Sequence, residues 1–226
     1  MSMSRHLVLS LPIVAILVSA GRADAAVILS PVGATASSEF SSTFDIGNTI
    51  DQSGLSSGFT SGITDFDAYL ATNPTHTLVA ANFEWFTPSG VTTATVTYDL
   101  GAIVSIDRIA LWNEESSGVG NVNVLFSTDG VTFVPNTLGI TPVNNPIGSD
   151  YPAQVFALSA GSTRYVQLSI SQCPQAEPGA FPGCGIGEVA FSSGGAQQQV
   201  PEPSSMLLFG TAAVGAIAAR RRVRRS

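Results

Sequence analysis

Residues 92–113 read T-T-A-T-V-T-Y-D-L-G-A-I-V-S-I-D-R-I-A-L-W-N, and their patterning decides the fold class. Over the first nine residues Ala94, Val96, Tyr98 and Leu100 alternate with Thr93, Thr95, Thr97 and Asp99. A period of two is that of a strand with one buried face. From Ile106 to Trp112 both faces turn apolar, which predicts a more central strand. Working outward, Val122, Val124 and Phe126 alternate and run into Ser127-Thr128-Asp129-Gly130, with Val131 and Phe133 beyond. Asp-Gly between apolar runs predicts a hairpin. Val155–Leu158, Tyr165–Ile170 and the closing run Glu188–Phe191 complete the strand set. Helical signals are few: Thr64-Asp65-Phe66-Asp67 has capping-box form for a single turn ending near Asn73-Pro74. Many short strands between Gly, Pro, Asn and Ser turns predict an all-β jelly-roll sandwich. No period of 20–50 residues points to a propeller or solenoid.

Both ends of the 226-residue chain read as addresses. Arg5 and His6 precede an apolar run, Leu7–Ala20, and then Ala23-Asp24-Ala25, a small-x-small site. Residues 1–25 are therefore expected to be a cleaved signal peptide, leaving Ala26 first. Residues 194–199 form a Gly, Ala and Gln linker. Pro201-Glu202-Pro203 follow, then the uncharged apolar stretch Met206–Ala219 and a cluster of arginines, Arg220 to Arg225. Fourteen helical residues extend about 21 Å against ~30 Å of hydrocarbon, so the segment spans a bilayer only with help from snorkelling arginines. Those arginines stay on the cytoplasmic side and place the body outside.

Between Ala26 and Gln199 stand two arginines, Arg108 and Arg164, against fourteen carboxylates, hence a formal charge of −12. A body so acidic repels phosphate backbones, which excludes nucleic acid as a partner and suits divalent cations or neutral sugars. Each arginine is expected to pair with a nearby carboxylate. Cys173 and Cys184 bracket a Pro- and Gly-rich loop, and in an oxidising compartment they are expected to form a structural disulfide.

Chemistry enters at three places. A sugar site on a sandwich presents an aromatic platform beside polar groups. The candidates are Tyr69, Trp85, Phe86 and Asn113, whereas Trp112 continues an apolar strand and reads as core. Gly54-Leu55-Ser56-Ser57-Gly58 matches the G-x-S-x-G elbow of hydrolases, but it lacks the strand before and the helix after, and His76 is the body's one possible base. The chain is therefore read as a non-enzyme. Asp65 with Asp67 reads as helix-start charge rather than a metal site.

Two resemblances add to this reading. Pro201-Glu202-Pro203, the apolar stretch 206–219 and the arginine cluster resemble the PEP-CTERM sorting signal of Gram-negative bacteria over residues 200–226. The resemblance implies processing by a membrane-embedded exosortase, transient residence in the inner membrane through 206–219, and delivery to the cell surface or an extracellular, biofilm matrix. The segments at 97–113, 126–133 (F-S-T-D-G-V-T-F), 163–170 (T-R-Y-V-Q-L-S-I) and 185–191 (G-I-G-E-V-A-F) resemble discoidin-like, coagulation-factor C-type domains in order. That likeness, over residues 26–193, implies the eight-stranded galactose-binding-like jelly roll, glycan binding through loops at one end, and a structural Ca²⁺. On matching positions the ligand candidates are Asp51, in N-T-I-D-Q-S-G (48–54), and Glu188 of the last strand. The sequence departs from the family in placing Gln52 and Ser53 after Asp51, where the family often carries Gly and a second acid. The expected function is non-catalytic binding of extracellular polysaccharide; the alternative is a structural or adhesion protein of the matrix without a specific glycan site.

Overall fold

A computed structural model describes residues 25–176 and 178–194. The signal-peptide residues before Ala25, the linker after Gly194, the Pro201-Glu202-Pro203 motif and the apolar stretch 206–219 lie outside the described residues. Among the described residues, no helix is long and apolar enough to cross a membrane.

The fold is an antiparallel β-sandwich organised by two long strands, β5 (Ala94–Asn113) and β9 (Gln154–Ser171). They pair along their whole length, Ala94 opposite Ile170 and Leu111 opposite Gln154. Bulges between Asp99 and Val104 and between Ile106 and Arg108 bend the pair between two layers. The first half of β5 pairs with β2 (Gly33–Ala36), and the second half of β9 with β6 (Asn121–Ser127), which pairs with β7 (Val134–Ile140). The second half of β5 pairs with β10 (Gly185–Ser193), which is flanked by β1 (Ile28–Leu29) and β4 (Trp85–Phe86). β3 (Thr75–His76) and β8 (Tyr151–Pro152) form a separate two-stranded ribbon.

The alternation expected at Ala94, Val96 and Tyr98 is observed, each of the three being buried. Between the layers they meet Ile109, Leu111, Val122, Val166, Leu168, Val189 and Phe191. The doubly apolar run at Ile106–Trp112 has a physical cause. Ile109 and Leu111 enter the inter-layer core, while Ala110 and Trp112 face a second cluster with Ile28, Phe66, Tyr69, Tyr151 and Ala190. That outer face is covered by the single α-helix of the described residues, α1 (Phe66–Ala71). Trp112 is core, and its indole N–H donates to the Pro74 carbonyl at 3.0 Å.

Three local expectations are corrected. The runs 92–100 and 106–112 belong to one strand, as do 155–158 and 165–170, because the two partners become irregular at the same height and bend together. After the Asp129-Gly130 turn the strand resumes at Val134 rather than Val131, since Asp129 Oδ1 accepts from the Val131 and Thr132 amides and prolongs the turn. The helix is capped by Asp65, whose carboxylate accepts from the Ala68 amide, and not by Thr64. Asp67 in its first turn pairs with Arg108, and Arg164 makes a two-pronged pair with Asp99, as expected of both arginines.

Candidate functional site

Segments 40–50, 77–84, 114–120, 141–150 and 172–184 meet at one end of the sandwich. The disulfide between Cys173 and Cys184 ties off the last of these, as expected from the sequence. Cys184 is buried and its amide donates to Thr87 Oγ1, which fixes the loop against the end of β4.

Here lies a cleft of about 440 Å³ lined by Phe40, Phe44, Phe86 and Phe181 with Val79, Ser116, Ile147 and Gly179. The four phenylalanines form a closed ring of edge-to-face contacts. Phe40 meets Phe44 at 5.9 Å and Phe181 at 5.6 Å between centroids, and Phe86 meets Phe44 at 5.2 Å and Phe181 at 5.7 Å. This is the geometry that the aromatic quadrupole favours. Main-chain bonds hold the ring: Phe40 N–H to the Phe86 carbonyl, Phe86 N–H to that of Phe44, and Phe181 N–H to that of Ser116. Phe40 is 49% exposed, so the ring is open to ligand on one side.

The residues expected at a sugar site are placed differently from one another. Phe86 lines the cleft. Trp85 is fully buried between the layers, its indole N–H donating to the Ser38 carbonyl at 3.1 Å, so it offers no face to a ligand. Tyr69 is buried in the outer cluster, its hydroxyl donating to the Ser57 carbonyl. Asn113 is also buried. Its amide group accepts from Val119 N and donates to the Val143 carbonyl and to Gln175, joining three loops behind the cleft. Phe40, Phe44 and Phe181 were not singled out in the sequence.

Behind the cleft wall lies a buried acidic group. Glu84, Glu114 and Glu115 are each at most 2% exposed. Glu84 accepts from Tyr151 Oη at 3.2 Å and from the Ala80 amide at 3.0 Å, and lies 3.7 Å from His76 Nδ1. Burial pushes the Glu84 carboxyl up to about 8. Burial and then Glu115 raise Glu114 well above the ordinary carboxylate range. Glu115 Oε1 accepts from the Val79 and Gly148 amides, and its Oε2 is buried without a hydrogen-bond partner. His76 is stacked on Tyr151 and its nitrogens face the carbonyls of Thr77 and Phe83. Burial holds its pKa below the ordinary value against the upward pull of those carbonyls. The ring is packed so closely that a Cβ on Gly54 would stand 2.1 Å from its Nε2. Ser56, the middle residue of the G-x-S-x-G match, lies in a loop and accepts from the Thr75 amide.

The two expected calcium ligands occupy the outer face. Glu188 is fully buried, with Oε2 accepting from the Gln52 amide at 3.0 Å and Oε1 left without a partner. Burial, and secondarily the charge of Asp51, raises its carboxyl well above the ordinary range. Asp51 is exposed, its Oδ1 accepting from the Ser53 amide. An orphaned carboxylate oxygen beside a second carboxylate fits a cation. No group of three or more His, Cys, Asp or Glu among the described residues could hold one, so main-chain oxygens would have to complete the shell.

Comparison with known proteins gives one match at the level of a family profile: the PEP-CTERM protein-sorting motif, over residues 199–222. The chain thus carries that motif where the sequence resemblance put it, and with it the address of an exported protein. No curated protein matches the chain. Among solved structures the chain is similar to chitosan-binding module 1 of a chitosanase/glucanase from Paenibacillus sp. IK-5, at 18% identity and TM-score 0.48, covering 74% of this chain and 96% of that one. It is similar as well to the CBM32 of AlyQ in complex with 4,5-unsaturated mannuronic acid, at 17% identity and TM-score 0.46, covering 73% and 96%. A third is CBM32-3 from a family 31 glycoside hydrolase of Clostridium perfringens, at 12% identity and TM-score 0.49, covering 74% and 91%.

Proposed function

We propose that this is an exported, non-catalytic surface protein that binds carbohydrate through the loop end of its sandwich after an exosortase has processed its C-terminal motif. The observation that carries the reading is the phenylalanine-lined cleft. Sugar rings present C–H-rich faces that pack on aromatic surfaces, and a cleft pre-formed by main-chain bonds and a disulfide loses little entropy on binding. The sorting motif at 199–222 supports export, and retention of matrix polysaccharide is a role suited to such a protein. In this reading Phe86 acts with Phe40, Phe44 and Phe181, while Trp85, Tyr69 and Asn113 hold the scaffold beneath them.

A Ca²⁺ ion at the Asp51–Glu188 corner is part of the same proposal. When bound it would supply charge compensation for the buried Glu188 carboxylate and pin the 48–54 loop. The unpartnered Oε1 of Glu188 supports it.

The test is a glycan array of residues 26–199 in Ca²⁺ and in EDTA, with thermal melting alongside. Binding of at least one glycan class is expected, weakened about tenfold or more by Phe181→Ala. Silence across the array in both conditions sinks the carbohydrate reading and leaves the structural or adhesion alternative. An identical melting midpoint with and without Ca²⁺ removes the ion.

A further inference from the structure

Away from the cleft, the outer face of the layer formed by β2, β9, β6 and the first half of β5 carries a second pocket. It holds about 280 Å³ and is lined by Gly33, Ala34, Thr35, Thr97, Asp99 and Tyr165, none of which lines the cleft. Strand register explains its make-up. Gly33 stands opposite Asp99 and Asp99 opposite Tyr165, while the neighbouring row carries Thr35, Thr97 and Gln167.

Gly33 is what opens the pocket. A glycine within a ladder weakens the strand, and it marks a bulge, a tight bend or a close approach. The first two are absent here. Pairing with β5 runs without a shift from Gly33 to Ala36, and the Val32 amide continues it by donating to the Asp99 carbonyl at 2.8 Å. Its φ lies outside the left-handed region, so other residues could stand there. A Cβ built on Gly33 would meet no heavy atom within 4 Å beyond its chain neighbours. No described part of the chain uses that space, which leaves the approach of a ligand.

The walls combine an aromatic surface with convergent polar groups, as recognition of a sugar ring requires. Tyr165 is held in place by the Arg164 guanidinium, 5.0 Å from its ring centroid, and by the turn at Gly130, where a Cβ would stand 3.2 Å from its Cε2. Asp99 accepts from the Gly101 amide at 2.8 Å and from Arg164 Nε and Nη2 at 2.9 Å, which leaves about one of the four acceptor positions of a carboxylate. Thr97 Oγ1 accepts from Gln167 Nε2 at 3.2 Å and keeps its own O–H to donate, and Thr35 is exposed. In the loop-end cleft, by contrast, Ser116 is the one polar side chain of the lining.

The volume falls just below the ~300–1,000 Å³ of sites for drug-sized molecules, and suits a single sugar ring. Polar groups continue along the same face, Thr95 opposite Ser169 and Ser169 opposite Asn123, so a longer chain finds partners beyond the pocket. These groups stand in rows on a sheet, which matches a glycan that is itself an extended ribbon. Equatorial β-1,4 linkages give such a ribbon, whereas α-1,4 linkages coil. The body's formal charge of −12 repels polyanions and favours a neutral chain.

We propose that this face is a second carbohydrate site, taking a neutral, extended β-1,4-linked glycan with one sugar ring seated over Gly33 against Tyr165 and Asp99. It goes beyond the loop-end reading and stands or falls separately from it.

The test titrates the 226-residue chain, in a detergent without a sugar headgroup, with the β-1,4-linked hexamers of glucose and of mannose and with the α-1,4-linked glucose hexamer. At least one β-1,4 hexamer is expected to bind with a Kd of about 1 mM or tighter, and about fivefold or more tighter than the α-linked one. Gly33→Val fills the pocket with a side chain that suits a strand. Its melting midpoint is expected to hold or rise while affinity falls about tenfold or more. Tyr165→Leu keeps apolar bulk but removes the ring, is expected to cost about threefold or more, and carries the test should Gly33→Val fail to fold. Phe181→Ala, in the cleft, is expected to leave these affinities within about twofold. Hexamer binding lost in Phe181→Ala and kept in Gly33→Val would assign the sugar to the cleft, overturning the face site while the loop-end reading stands. Equal binding of the α-linked hexamer, binding insensitive to both face variants, or no binding of either β-1,4 hexamer also overturns it. Binding lost in Gly33→Val and kept in Phe181→Ala supports the face site, whatever the array shows for the cleft.

Discussion

At the scale of single residues, Glu84 carries the clearest consequence. Its carboxyl sits at about 8 in the fold against an ordinary 4.5, because burial penalises the charged form. Between those values the folded chain holds a proton that the unfolded chain has released. Stability from this group is therefore complete below the unfolded pKa and is lost as pH rises through about 8. Glu114 and Glu188, raised by burial, act in the same direction. His76 acts oppositely: its folded pKa is depressed, so its contribution is present above 6.5 and is lost as pH falls below that value. Measured in EDTA, the melting midpoint is expected to be highest near pH ~5–6 and to fall toward pH ~9, with Glu84→Gln flattening the alkaline limb. A midpoint that climbs across that limb would mean the buried acids are ionised. Little of this was legible beforehand. Glu84 and Trp85 stand in a polar-aromatic segment, N-F-E-W-F, that reads like a ligand-facing loop, and burial follows only from contacts with Tyr151 and Ser38, 67 and 47 residues away.

At the scale of elements, the strands were legible wherever one face meets the core, because a period of two survives in the composition. Ala94, Val96 and Tyr98 show it directly. Joining runs into strands was not legible. Gly101, with φ at +79°, reads as a turn, yet the chain bends there and continues. The disulfide-closed loop is the element on which the candidate site most depends, since Phe181 sits three residues before Cys184 and its amide and carbonyl bond Ser116 and Ser117. Closing a loop of this length is worth about 3 kcal/mol through the unfolded state. The double substitution Cys173→Ser with Cys184→Ser is expected to lower the midpoint by on the order of 5–10 °C and to weaken ligand binding more than Phe181's distance from the sulfurs alone suggests. Unchanged binding in the reduced protein would show that other contacts suffice to seat Phe181.

At the scale of the whole molecule, the fourteen carboxylates against two arginines imply self-repulsion that the fold tolerates rather than uses. Raising salt from about 10 mM to 0.5 M is expected to raise the melting midpoint by a few degrees, and a fall would point to ion pairs such as Arg164–Asp99 outweighing the repulsion. The acidic balance, the C-terminal sorting motif and the sandwich class were readable from composition and order. The phenylalanine ring was not, because Phe40 and Phe44 come from the loop after β2, Phe181 from the disulfide-closed loop and Phe86 from the end of β4, with no period shared by all four. β10 runs from Gly185, opposite Phe86 at the cleft, to Ser193, beside β1 at the far end where the tail departs. A ligand tugging on the cleft and an anchor holding the tail would therefore load that strand lengthwise. Its pairing with β5 would have to yield in shear, many rungs at once, and not peel apart like a zipper. The mechanical grip of such a molecule would reside in its last strand.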